Sequence, residues 1–134
     1  MEALAFVEVL GRDGRVVSRH PVGEFPCRVG RAYDNHVILD DPYVAAHHLE
    51  FSQAGTGRYA VRDLGSRNGS FLVLTRRAVA DVEIGPDETV RIGRTQVRIR
   101  PSDFPVPTEL DARRRNWARH PATSALSLAG AAAA

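Results

Sequence analysis

Three short stretches of this chain combine residue types that hold anions and hydrogen-bond peptide groups. The first is Gly30-Arg31-Ala32-Tyr33-Asp34-Asn35-His36, where an arginine follows a glycine at the end of an apolar run. The second is Val44-Ala45-Ala46-His47-His48-Leu49, and the third is Ser66-Arg67-Asn68-Gly69-Ser70-Phe71. A guanidinium fork binds carboxylates and phosphates bidentately, so Arg31 and Arg67 suit an anionic ligand. The Asn68 amide carries both donor and acceptor. Each has a plainer role to set beside this one. Arg31 could bridge to Asp34 or Asp40, Asn68-Gly69 could serve only as a turn pair, and Arg67 could be a solvated surface arginine. The doublet His47-His48 is a poor metal site, because adjacent strand residues face opposite ways and no cysteine or spaced carboxylate accompanies them.

Such groups need a rigid support, and the first hundred residues read as short strands between turns. Ala3–Leu10 and Arg15–His20 flank Gly11-Arg12-Asp13-Gly14, a hairpin signal ending in Asp-Gly. Further strands are expected at Pro26–Gly30, His36–Leu39, His48–Ser52, Tyr59–Asp63, Ser70–Leu74, Thr89–Ile92 and Gln96–Arg100. Tyr59–Asp63 and Gln96–Arg100 alternate in residue type with period two, as strands buried on one side do. No helical apolar stripe precedes residue 101. The expected fold is all-β, an antiparallel sandwich of about ten to eleven short strands.

The three stretches, in this order and spacing, resemble the signature of the forkhead-associated (FHA) domain family over roughly residues 26–100. That resemblance implies an FHA-type β-sandwich whose loops, gathered at one end, read phosphothreonine. It implies that Arg31 contacts the phosphate and that Asn68 bonds the main chain of the bound peptide, with Arg67 lining the same surface. It also implies that His48 braces the loops from a buried position, with Gly30 and Gly69 shaping them. Phe71, Leu72 and Gly93 match packing and turn positions. The resemblance further implies an adaptor in signalling by Ser/Thr kinases.

The chain departs from the family at two places. Ala45 stands where the family has a serine whose hydroxyl donates to phosphate, and Ala46 replaces a residue that often contacts phosphate or peptide. A hydrogen bond to a charged group is worth about 1.5–3 kcal/mol, so losing two weakens binding by about a hundredfold or more. Backbone N–H groups of the same loop, Arg67 or His47 are the groups placed to compensate. Val73-Leu74 also replaces the family's second Asn-Gly. Two functions follow: a phosphothreonine-reading module using Arg31, Asn68 and a rearranged Ala45-Ala46 loop, or a degenerate domain that binds a protein partner without phosphate through the apolar Pro42–Ala46 loop.

Composition narrows the remaining classes. Hydrophobic residues at 43% and charged residues at 25% are those of a globular domain. The net charge is +2, every basic residue is arginine, and the basic residues are interleaved with acids, a poor nucleic-acid footprint. No phosphate-binding Gly-x-x-x-x-Gly-Lys loop, nucleophile elbow or suitably spaced carboxylate pair points to an enzyme or a cofactor. The lone Cys27 cannot pair within the chain and reads as a small buried side chain.

A break comes at Pro101, since Pro101, Pro105 and Pro107 are unsuited to a central strand. Residues 1–100 are read as the domain and 101–134 as a Pro/Arg-rich, then Ala-rich, tail. Two readings of that tail compete. One is a disordered or weakly helical segment. The other is a juxtamembrane stretch: Arg113, Arg114, Arg115, Arg119 and Trp117 precede the uncharged Ala122–Ala134, as on a cytoplasmic flank. Ala122–Ala134 is shorter than the roughly 20 residues that span a bilayer, so a membrane segment would have to continue beyond Ala134. No signal peptide is visible, and a cytoplasmic location, or the cytosolic face of a membrane, is expected.

Overall fold

The computed structural model describes residues 3–104, and within them ten strands form two five-stranded sheets. The strands are β1 (Ala5–Leu10), β2 (Val16–Val22), β3 (Cys27–Gly30), β4 (Val37–Ile38) and β5 (Leu49–Gly55), then β6 (Arg58–Asp63), β7 (Ser70–Leu72), β8 (Asp81–Ile84), β9 (Val90–Ile92) and β10 (Thr95–Pro101). One sheet runs β2-β1-β10-β9-β7 and the other β4-β3-β5-β6-β8. The expectation of a β-sandwich therefore holds. The juxtamembrane reading falls on residues 105–134, outside the described part.

Alternating side chains make the core. Tyr59 and Val61 of β6 point inward while Arg58 and Arg62 face solvent, and Val97 and Ile99 of β10 are buried in the same way. These residues pack with Leu49, Phe51, Ile84 and Ile92 between the sheets. Burying apolar side chains of this size, at roughly 25 cal/mol per Å2 of apolar surface, is the dominant force holding the sheets together. Cys27 is fully buried in this core, and burial pushes its thiol up to about 12, so it stays a neutral small hydrophobe.

Several sequence expectations are corrected. β8 was missed: Asp-Val-Glu-Ile alternates, but its two acids mask a four-residue edge strand that pairs with β6. β7 ends at Leu72, so Val73 and Leu74 belong to a turn rather than a strand. Pro101 closes β10, an interior strand of its sheet, opposite Ala5. It is tolerated there because the strand ends with it. Pro21 shows the usual rule, lying in the edge strand β2. One pairing is parallel, between β3 and β4. The chain loops once after Gly30 and resumes in the same direction, held by His36 N–H on Arg28 O (3.0 Å) and Leu39 N–H on Gly30 O (2.9 Å).

Candidate functional site

Hydrogen bonds tie the three loops singled out in the sequence to one another. β3 ends at Gly30, and the Arg31 amide donates to Ala45 O (3.0 Å) while the Ala32 amide donates to Ala46 O (3.1 Å). This close approach explains Gly30: a β-carbon there would overlap the carbonyl oxygen of Ala46 and lie 2.9 Å from the Asn35 amide nitrogen. Asn35, to which the sequence assigned no role, is buried and donates from Nδ2 to both Ala32 O and Ala46 O at 2.7 Å.

His48 joins the second loop to the third. It is completely buried; its Nδ1 accepts from the Ala45 amide and its Nε2 lies on Gly69 O, both at 2.9 Å. An amide can only donate, so Nδ1 carries the lone pair and Nε2 the proton. The Leu64 amide adds a further link by donating to His48 O (2.9 Å). The third loop is shaped by Asp63. Its carboxylate accepts from the Gly65 and Ser66 amides and from the Ser66 and Ser70 hydroxyls. Partial burial opposes the Asp63 charge, but the Ser66 and Ser70 donors outweigh it and hold the carboxyl below its usual range. Gly69 follows at φ 81°, a left-handed turn that glycine adopts without strain.

Arg31 bridges to neither Asp34 nor Asp40. Its Nε donates to Val44 O (3.0 Å), and its Nη groups meet no acceptor among the described residues. Asn68 is exposed and donates from Nδ2 to Tyr43 O (2.8 Å); its Oδ1 has no donor among the described residues. Arg67 is exposed beside it and makes no hydrogen bond or ion pair among the described residues. The loops therefore bring Arg31 and Asn68 to either side of residues 43–46, and leave Arg67 on the rim next to Asn68.

Between them Ala45 is half-buried and Ala46 exposed. Their carbonyls are both engaged, but the Ala46 and His47 amides donate to no acceptor among the described residues. His47 turns instead to Asp34, with Nε2 at 2.8 and 3.0 Å from its two carboxylate oxygens. That hydrogen bond lowers the Asp34 carboxyl. Val44 points into the core, so it lies beneath the surface rather than across it.

Two further residues were not legible as site residues. Asp41 is buried and accepts from the Tyr43 and Arg94 amides and the Thr95 hydroxyl, at 2.8–2.9 Å. Burial opposes its charge, yet those donors hold its carboxyl low. Arg94 lies over the Tyr43 ring, 4.5 Å from its centroid. Gly93, at φ 60°, leaves room for this contact, since a β-carbon would sit 2.9 Å from Asp41 Oδ2. The Asp-x-Tyr spacing of an Asx turn was the available signal for Asp41. The Tyr43–Arg94 contact had none. Among the described residues no cluster of metal-ligating side chains occurs, and no helix is long and apolar enough to cross a membrane.

The family model for the FHA domain matches residues 27–103. The chain belongs to the FHA domain family. Members of this family are non-catalytic modules that bind phosphothreonine in protein partners. A relative is the FHA domain-containing protein FhaB of Mycolicibacterium smegmatis, 37% identical over 84 residues, which are 63% of this chain and 53% of the relative. The FhaB of Mycobacterium tuberculosis matches equally. This chain thus corresponds to about half the length of these relatives. Among solved structures, Mycobacterium tuberculosis EmbR in complex with a low affinity phosphopeptide shares 25% identity at a TM-score of 0.63, over 78% of this chain and 26% of that one. The MEK1 FHA domain in complex with a HOP1 phosphothreonine peptide shares the fold, at 19% identity and a TM-score of 0.57, over 75% of this FHA chain and 99% of that one.

Proposed function

We propose that this FHA domain binds phosphothreonine in a protein partner, with Arg31 and the amides of Ala46 and His47 on the phosphate and Asn68 on the peptide main chain. The single observation that carries this reading is the Arg31 side chain. It is fixed by Nε on Val44 O while both Nη groups face no acceptor among the described residues. A planar fork held at its base and open at its tip suits a phosphate dianion. The two amides supply donors where the family uses hydroxyl and side-chain groups. Arg67 adds a second positive charge at the rim.

The domain works as an adaptor downstream of Ser/Thr kinases, in the cytoplasm or on the cytosolic face of a membrane. A phosphate-independent partner is the competing function, resting on the apolar loop from Pro42 to Ala46. Burial of Val44 removes the largest aliphatic side chain of that loop from the surface, which favours the phosphate-dependent reading.

The experiment is a binding screen against degenerate phosphothreonine peptides with unphosphorylated and phosphoserine counterparts, run on the wild-type chain and on Arg31→Ala. Preference for phosphothreonine, lost in Arg31→Ala, is the expected result. Equal binding of phosphorylated and unphosphorylated libraries would defeat the proposal.

A further inference from the structure

Leu74 is 92% exposed and Val73 38% exposed, on a turn whose backbone is held by hydrogen bonds. The Val73 amide is held by Thr89 O (2.9 Å), the Arg76 amide by Leu72 O (2.8 Å) and the Leu72 amide by Arg77 O (2.9 Å). Arg76 itself sits at φ 61°, an unusual conformation for a side-chain-bearing residue. The turn faces residues 87–89, and the two segments enclose a mainly apolar pocket of about 200 Å3.

Surface depressions with shared lining residues lead from this pocket to the site around Asn68. A depression bounded by Tyr43, Asn68, Arg91 and Arg94 shares Arg91 with a second, formed by Phe71, Leu72, Val73, Arg76 and Gln96. That second depression shares Leu72 and Val73 with the apolar pocket. The path follows β7 away from the loops. Arg94 over Tyr43 and Arg91 over Phe71 (5.0 Å to the centroid) line its floor, and Arg76 stands beside it. None of the three has a carboxylate partner among the described residues. The pocket's far wall carries the opposite charge, at Asp87 and Glu88, but both are engaged, with Arg100 and the Gly85 amide, so the aliphatic lining comes from Leu72, Val73 and Leu74.

We propose that the phosphopeptide bound at Arg31 and Asn68 is held a second time, by one large aliphatic side chain seated in the pocket of Leu72, Val73 and Leu74. The segment between phosphothreonine and anchor is acidic, because it crosses Arg91, Arg94 and Arg76. β7 covers Ser70–Leu72, and Asn68 to Leu72 is at most about 13 Å, which an extended peptide spans in about four residues, so the anchor lies about four to six residues beyond the peptide residue held by Asn68. The inference rests on the phosphothreonine reading given above. It makes the departure at Val73-Leu74 from the usual Asn-Gly a gain of ligand surface.

The test is a leucine scan. Peptides carry one phosphothreonine, or threonine in a matched set, with aspartate and alanine elsewhere and a single leucine moved outward on either side. They are titrated into the wild-type chain and into Leu74→Asp, an exposed position whose change spares the core. The expected result is one register at which leucine tightens binding about tenfold or more over the leucine-free phosphopeptide, with that gain absent in Leu74→Asp. A flat scan, or a gain that survives Leu74→Asp, overturns the proposal. So does sedimentation showing that wild-type chains self-associate through Leu74, since a second copy would then occupy the pocket. A flat scan with intact phosphate dependence leaves the phosphothreonine reading standing. A leucine peak indifferent to phosphorylation overturns that reading, and with it the proposal.

Discussion

The buried Nε2 of His48 donates to the carbonyl oxygen of Gly69 at 2.9 Å, across 21 positions of chain. The other ring nitrogen accepts from Ala45, so one imidazole fixes two loops by two bonds of opposite sense. Replacing His48 with alanine strands the Ala45 amide and the Gly69 carbonyl and opens a cavity. The expected loss of stability is about 2–4 kcal/mol, measured by urea unfolding. A loss below about 0.5 kcal/mol, the level of an ordinary surface change, would contradict the bracing role.

Gly30→Ala tests the close approach of β3 to the Ala45-Ala46 loop. The added methyl would overlap a backbone carbonyl, which cannot rotate away. The expected cost is about 1–3 kcal/mol, with the loop displaced and phosphopeptide affinity reduced together. Unchanged affinity in a folded Gly30→Ala protein would show that the loop position is unimportant for binding.

Ala45→Ser restores the hydroxyl that the family pattern carries. If Arg31 and the loop amides hold phosphate beside this position, the variant should bind phosphothreonine peptide about 10–100-fold more tightly, the value of a charge-assisted hydrogen bond. Isothermal titration of wild type and variant measures this. No gain would mean that the phosphate lies elsewhere.

Acid should weaken the loop scaffold through Asp41 and Asp63. Both carboxyls are held below their ordinary value of 3.8 in the folded chain. A carboxyl with a depressed folded pKa contributes stability that is present above the unfolded value and is lost as pH falls through the folded one. Unfolding midpoints should therefore be level near neutrality and drop as pH falls below the ordinary carboxyl range. Asp63→Asn should be less stable at neutral pH and show a shallower acid slope. An identical slope in that variant would remove Asp63 from the explanation.

The strand pattern was legible because period-two alternation, as in Tyr59–Asp63, reflects one buried face directly. β8 was not, because Asp81 and Glu83 face solvent from an edge strand and dilute the apolar signal. Arg31, Asn68 and His48 could be picked out by their match to the family pattern. Their partners could not: Val44 O, Tyr43 O and Gly69 O are backbone atoms, and any residue supplies them. Asp41 showed only its local turn with Tyr43, because its other donors, the Arg94 amide and Thr95 hydroxyl, lie more than 50 positions away. His47, read as a stand-in for the missing hydroxyl, proved to be engaged by Asp34.

Amide chemical shifts of the isotopically labelled chain report directly on whether phosphate meets the Ala46 and His47 amides. Matched threonine and phosphothreonine peptides are titrated into wild type and Arg31→Ala. Only the phosphorylated peptide should move the Ala46 and His47 amides downfield, and Arg31→Ala should abolish this response while the remaining spectrum stays that of a folded sandwich. Equal shifts with both peptides, or a phosphate response at other amides that leaves Ala46 and His47 unmoved, would contradict the proposed site.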